Sequence, residues 1–264
     1  MPFDIIGFLE ATPGTGLVNL AGALGENLYR VANGDDIINK VENKFLLGAF
    51  AAAVSTGQDY RLRQPTLPID HQFHKIMLEA DPDPIQGYEH FFGRPLPLIG
   101  GEKINALITN ATDESALIAF LIGNAPITKG MLDAVRPTHI IRGYGDTTLT
   151  AKTWTTVTVT WDQDLPKGEY AIVGLKAGHY IAAAPLATLA RVLIPGNNSW
   201  RPGVPSALME ADHEEFQSIT AMPFSKFPLM RQVTFPHTNM PNMEYLSNAA
   251  ITDETVEMLL QKVG

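Results

Sequence analysis

The sequence contains no cysteine, which excludes disulfide scaffolds, cysteine-ligated zinc and thiol catalysis. No uninterrupted apolar run reaches the roughly 18 residues that a membrane-spanning helix needs. The opening Met1-Pro2-Phe3-Asp4-Ile5-Ile6-Gly7 has no basic stretch ahead of its apolar residues, so no secretory signal is expected. Positive charge is also scarce, with 19 lysines and arginines against 28 acidic residues in 264 and a formal charge of −9. A nucleic-acid binder needs a clustered basic footprint, and direct sequence-specific contact with nucleic acid is therefore not expected. Charged residues make up only 18% against 45% hydrophobic, a balance that excludes disorder over most of the length. A chain of this size forms one large domain, or a domain with an appendage. No repeat with a period of roughly 20–50 residues is present, which argues against solenoids and propellers.

The phosphate-binding motifs are missing as well. Gly143-Tyr144-Gly145 begins like a dinucleotide fingerprint but lacks the third glycine, and Gly14-Thr15-Gly16 has Asn19 in that place. Without those glycines the backbone cannot close on a pyrophosphate. No Gly-x-Ser-x-Gly elbow occurs, which removes the α/β-hydrolase arrangement.

What is present falls into regions of different texture. In Gly16 to Ala32, Leu17, Leu20, Leu24, Leu28 and Val31 recur every three to four residues. This spacing predicts an amphipathic helix, stopped by Asn33-Gly34. A second helix is expected from Asp35-Asp36 through Ile37, Ile38, Val41 and Phe45 to Val54. Its last stretch, Leu46 to Val54, is apolar nearly all round, so such a helix must be buried against its own domain, a partner or lipid. Asp81-Pro82-Asp83-Pro84 cannot continue a helix. The domain boundary is placed there: residues 1–84 as an N-terminal helical arm and Pro-rich connection, residues 85–264 as a β domain.

The later region reads as short strands. Lys103 to Asn110 and Ser115 to Gly123 flank Ala111-Thr112-Asp113-Glu114 like a hairpin. Thr153 to Trp161 alternates Thr156, Thr158 and Thr160 with Val157, Val159 and Trp161, the period of a half-buried strand. Glu169 to Lys176 and Thr188 to Ile194 continue the series, the latter ending at the turn Pro195-Gly196-Asn197-Asn198. Phe227 to Phe235 and Met243 to Ser247 are further strand candidates. Residues 252–263 fit either a Thr252-capped helix or a closing strand. Many short strands with close turns predict a mainly β fold: an antiparallel jelly-roll-like β-sandwich with an N-terminal α-helical region. The strand region is long enough for one such sandwich rather than two.

Chemistry-bearing residues are few. His71 and His74 would share a helix face but lack the glutamate of a zinc-protease pattern. Asp212-His213-Glu214-Glu215 is a contiguous acidic run, which reads as a solvated loop because contiguous residues seldom converge on one ion. His90, His139, His179 and His237 stand alone. Trp154 and Trp161 are an odd number of residues apart and point to opposite faces of a regular strand, so packing is expected of them. Trp200, in Ser199-Trp200-Arg201-Pro202-Gly203, sits where an aromatic can anchor a neighbouring subunit. Asn110-Ala111-Thr112 and Asn197-Asn198-Ser199 match the glycosylation pattern incidentally. No catalytic residue, metal ligand or cofactor is expected. Leu46, Phe50, Val54, Trp200 and Arg201 are the expected interface residues.

The passages Pro95 to Ile104 and Ile108 to Thr112 resemble, in texture, the strand–turn–strand segments of viral jelly-roll capsid proteins. So do Asp164 to Gly174, Ala190 to Gly196 and Trp200 to Gly203. The resemblance implies a non-enzymatic coat protein that self-assembles into a shell and resides in the virion. Its partners would be copies of itself, with other virion proteins or an internal membrane, because its N-terminus is not the basic arm that neutralises a packaged genome. A second reading is a carbohydrate- or receptor-binding module of spike or fibre type, using the tryptophans with Tyr144 and Tyr180. A third is a metal enzyme using His71, His74 or His213.

Overall fold

The computed structural model describes residues 3–10, 14–22, 30–32, 36–53, 59–74, 88–91, 94–110, 116–124, 137–180, 188–196, 201–208, 234–247 and 251–264. Among the described residues every regular element is a β-strand. In the first half these are β1 (Phe3–Glu10), β2 (Gly16–Leu20), β3 (Arg30–Ala32), β4 (Asp36–Ile38), β5 (Phe45–Ala53), β6 (Asp59–Arg63), β7 (His71–His74), β8 (Tyr88–His90), β9 (Leu96–Pro97), β10 (Lys103–Asn110) and β11 (Ala116–Gly123). They form two antiparallel sheets. One runs β1-β11-β5-β8, with β9 also on β5; the other runs β3-β4-β10-β6-β7, with β2 also on β10.

The second half contributes β12 (His139–Tyr144), β13 (Thr155–Val157), β14 (Thr160–Trp161), β15 (Glu169–Tyr180), β16 (Thr188–Leu193), β17 (Gly203–Leu208), β18 (Thr234–Pro236), β19 (Asn242–Ser247) and β20 (Thr252–Lys262). These make one nine-stranded sheet, β13-β19-β16-β17-β15-β20-β12-β14, with β18 also on β15. Its two leaves are joined by a short parallel pairing, Gly178 with Ala207 and His179 with Leu208. The sheet doubles back on itself. Its terminal strands β13 and β14 are separated in sequence only by Thr158 and Val159, and the Tyr245 hydroxyl of β19 donates to the Thr255 carbonyl of β20 at 3.0 Å.

The two halves share one winding. Count the principal strands of the first half as β1, β2, β5, β6, β7, β8, β10 and β11, and those of the second as β12, β13, β15, β16, β17, β18, β19 and β20. In both halves one sheet takes the first, eighth, third and sixth strands, and the other takes the second, seventh, fourth and fifth. Strands from before and after residue 84 are neighbours in the same first-half sheets, and residues 3–123 complete one full winding by themselves.

The β1-β11-β5-β8 sheet is covered on both faces. Ile6, Phe8, Leu46, Ala49, Ile118, Phe120 and Ile122 point to the other first-half sheet, where Leu20, Ile37, Tyr60, Leu62, Phe73, Ile104 and Ile108 meet them. Ile5, Leu9, Leu47, Phe50, Leu117 and Leu121 point the opposite way and join the core of the second half. All eight positions of β11 are buried. Each large side chain so enclosed gains about 1.5–3 kcal/mol by leaving water. Gly7 lets the halves approach, because a Cβ there would lie 2.6 Å from Leu246 Cδ2 and 3.0 Å from Leu189 Cδ1.

This double burial explains where the helices expected in the N-terminal region fail. The run from Leu46 is apolar on all sides because it is a central strand, not a buried helix. A bulge in the β5–β11 register, between Leu121 and Ile122, shifts the alternation. Leu46 and Ala49 then share one face and Leu47 and Phe50 the other, a spacing of three that imitates a helix. In the expected first helix, Leu17 is exposed and Leu20 is buried on β2, and residues 24 and 28 lie outside the described residues.

Other expectations are corrected similarly. β10 and β11 do not pair as a hairpin: β10 joins β2, β4 and β6, whereas β11 joins β1 and β5. Thr153 to Trp161 is two short strands in different leaves, although Val157 and Val159 do alternate with exposed threonines as expected. The segment expected as helix or strand over 252–263 closes the fold as a strand, β20, over Thr252–Lys262.

Candidate functional site

The two halves meet across buried charge. β16 pairs with β19 so that Arg191 lies opposite Glu244, on the leaf face that also carries Leu189 and Leu246 toward β1. Arg191 is fully buried, and its Nε donates to Glu244 Oε2 at 2.6 Å. Arg201 Nη1 donates to both oxygens of the same carboxylate, at 2.8 and 2.6 Å. The Arg201 backbone N–H donates to Asp4 Oδ1 at 2.7 Å, and Lys40 pairs with Asp4 Oδ2 at 3.0 Å. The Arg191 guanidinium lies 3.8 Å from the centroid of the Trp154 ring, a desolvated cation–π contact. One carboxylate thus holds two arginines of the second half, and one of those arginines is pinned through its backbone to the first strand of the chain. Such an arrangement costs desolvation, so its value lies in fixing one geometry rather than in raw stability.

A strap reinforces this contact. Residues 145–154 run along one end of the second half, and Lys152, at φ 60°, pairs with Glu10 of β1 at 2.6 Å while its N–H donates to Ser247. Beneath this end the second-half interior is polar. His179 is fully buried with Nδ1 2.9 Å from Ser206 Oγ and Nε2 3.3 Å from Thr188 Oγ1. Glu254 is 1% exposed and burial pushes its carboxyl up to about 7. Burial likewise raises the Tyr245 phenol well above its ordinary value.

The opposite kind of feature marks the first half. Asn39 Nδ2 donates to the Asn43 and Ile99 carbonyls, and Gln64 exchanges two hydrogen bonds with the Ile99 backbone. These bonds knit three loops together and leave Val41, Ile69 and Ile99 exposed, at 71%, 75% and 37%. Beside Ile69 an open cavity of about 450 Å³ is lined by Asp70, His71, Gln72, Phe73 and Leu96. The Asp70 carboxylate accepts three hydrogen bonds from the Arg63 guanidinium, two from Nε and one from Nη2, which hold it below its ordinary pKa.

Of the residues expected at an interface, Leu46 and Phe50 are buried by the chain's own sheets on opposite faces of β5, and Arg201 lies in the charged network. Val54 and Trp200 lie outside the described residues. Trp154 and Trp161 both pack on the second-half core. His71 sits on a strand, where positions three apart fall on opposite faces, and it contacts the Pro97 carbonyl at 3.1 Å rather than sharing a helix face with position 74. His139 contacts Thr138 and the Tyr170 ring, and the His237 ring accepts from the Gly168 N–H. Residues 212–215 lie outside the described residues. Among the described residues no three His, Asp or Glu side chains are grouped as metal ligands, and no helix is long and apolar enough to cross a membrane. The sequence reading missed Asp4, Arg191 and Glu244. A charged residue inside an apolar strand, as in Leu189-Ala190-Arg191-Val192-Leu193, was the available signal.

Against known proteins, the chain matches no family model, no curated protein and no solved structure.

Proposed function

We propose that the chain is a self-assembling viral coat protein, built from two jelly-roll β-sandwiches in tandem, whose role is to hold copies of itself in a shell. The observation that carries this reading is the duplicated strand winding, with the same order of first, eighth, third and sixth strands over second, seventh, fourth and fifth. That order is what winding an eight-stranded ribbon into a two-sheet roll produces. Two such rolls stacked through a common buried sheet make a rigid tile with loops at its ends. The interlocked first-half loops present Val41, Ile69 and Ile99 to solvent, and apolar residues grouped in this way favour contact with a neighbour. The residues fixing the tile, Asp4, Arg191, Arg201 and Glu244, are occupied with one another, which suits a scaffold. Trp154 is covered by Arg191 and cannot serve as a sugar platform.

In this reading the virion is the site of action and the partners are further copies of the chain. A formal charge of −9 leaves genome neutralisation to a separate basic protein or an internal membrane. Mass photometry with negative-stain microscopy tests the proposal. Purified chain should form defined oligomers and closed particles as concentration or ionic strength rises; a monomer under every condition would refute it.

A further inference from the structure

We infer that Glu254 is a protonation-controlled latch that holds the 145–149 segment, and through it the strap between the halves, closed on β20. This device does not depend on the coat-protein reading, and it is built from local geometry. The Glu254 backbone carbonyl accepts from Gly145 N–H at 2.8 Å and its Oε2 accepts from Thr147 N–H at 3.2 Å. Leu149 N–H donates to Ile251 at 3.3 Å, so β20 and the turn before it take three amides of this one segment. Gly145 leaves no space around the carboxyl: a Cβ there would sit 3.0 Å from Glu254 Oε2 and 2.2 Å from Val157 Cγ1. Glu254 Oε1 is buried with no hydrogen-bond partner. An ionised carboxylate in that position would keep an uncompensated charge away from water.

Burial is the largest influence on this carboxyl, and the two backbone N–H groups that favour its charge, those of Thr147 and of Glu254 itself, do not offset it. On β20 itself the neighbour is Asp253, held at φ 57°, and on the facing segment it is Asp146; both oppose ionisation. From β19 the group is the Tyr245 phenol, whose proton is committed to the Thr255 carbonyl. On β15 at the same end is His179, engaged by Ser206 and Thr188, and β13 offers only Val157. Lys152 lies further along the strap and is paired with Glu10. With its ordinary value near 4.5 and its closed-state value near 7, Glu254 binds its proton more tightly when the segment is closed. The latch is therefore strongest below the ordinary value and weakens as pH rises through 7. Ionisation strengthens the single Thr147 bond but leaves a charge buried away from water, and opening the 145–149 segment lets the carboxylate reach solvent and relaxes the stretch that leads to Lys152 and Trp154.

Hydrogen exchange of the full chain, read as protection factors so that intrinsic rates cancel, tests this. From pH 6 to 8.5, protection of the 145, 147 and 149 amides should fall about tenfold, the ratio expected from those two values by linkage. The amides of β5 and β11 should keep theirs. Glu254→Gln, which keeps an acceptor but cannot ionise, should remove the pH dependence. A fall below about twofold in the wild type, an equal fall in E254Q, or a parallel loss in β5 and β11 would overturn the latch. Should E254Q fail to fold, carboxyl carbon NMR of the wild type decides instead: titration near 7 supports the latch and titration near 4.5 rejects it.

Discussion

The two halves follow the same strand order but fill their interiors differently. Between the sheets of the first half the described core is aliphatic and aromatic, with Phe8, Tyr60, Phe73 and Phe120 in ring contact or edge-to-face packing. The second half buries Arg191, Glu244, Arg201, His179, Ser206, Thr188 and Glu254 as well as apolar side chains. Aromatic and aliphatic packing tolerates small shifts and specifies geometry loosely. Buried charge tolerates few alternatives, since a shifted arginine would leave Glu244 unpaired in a low-dielectric interior. The contrast assigns bulk stability to the first half and positional accuracy to the second, where the halves meet.

The sharpest way to break that contrast is Glu244→Ala. Arg191 and Arg201 would remain buried without their carboxylate, and thermal unfolding should show a loss of about 3–5 kcal/mol. Replacing Glu244, Arg191 and Arg201 together by methionine should cost less than the single change; an equal or larger cost would show that the network adds stability rather than placement. In the first half, Ile118→Val removes one methylene from a site buried on a two-faced sheet and should cost about 1 kcal/mol, without any pH dependence. The smallest effect is expected on the surface. Arg63→Ala breaks the ion pair with Asp70, and because Arg63 is 46% exposed the loss should stay below about 1 kcal/mol and shrink with added salt. A larger loss would mean that the loops around Ile99 depend on this pair.

The strand-rich later region was legible because its periods are simple. Thr156 to Trp161 alternates visibly, and β15 and β16 fall where runs containing β-branched residues are bounded by turn residues. Of the first half, β10 and β11 were legible as strands, but the run through β5 was not, for a physical reason. A strand covered on both faces has no polar side to reveal its period, and the bulge in β5 replaced a spacing of two with three. The duplication is not legible in the sequence because what repeats is the path of the chain, not its residues. Core positions need only be apolar and of suitable size, so Phe8-Phe120 packing in one half and Tyr170-Phe235 packing in the other share no sequence signature. The charged network was hidden for another reason. Asp4 and Arg201 are 197 residues apart, and a single chain does not announce which distant charges meet. The surface residues of the proposed assembly are legible only as exceptions, apolar side chains left outside after the loops are knit.

Through the sheet they share and the charges between them, the halves should unfold as one mechanical unit. Scanning calorimetry of the wild type and of E244A tests it most directly. One wild-type transition is expected, with calorimetric and van't Hoff enthalpies in agreement, and an E244A scan that broadens or splits as the halves uncouple. Two separate wild-type transitions, unmoved by the substitution, would contradict it.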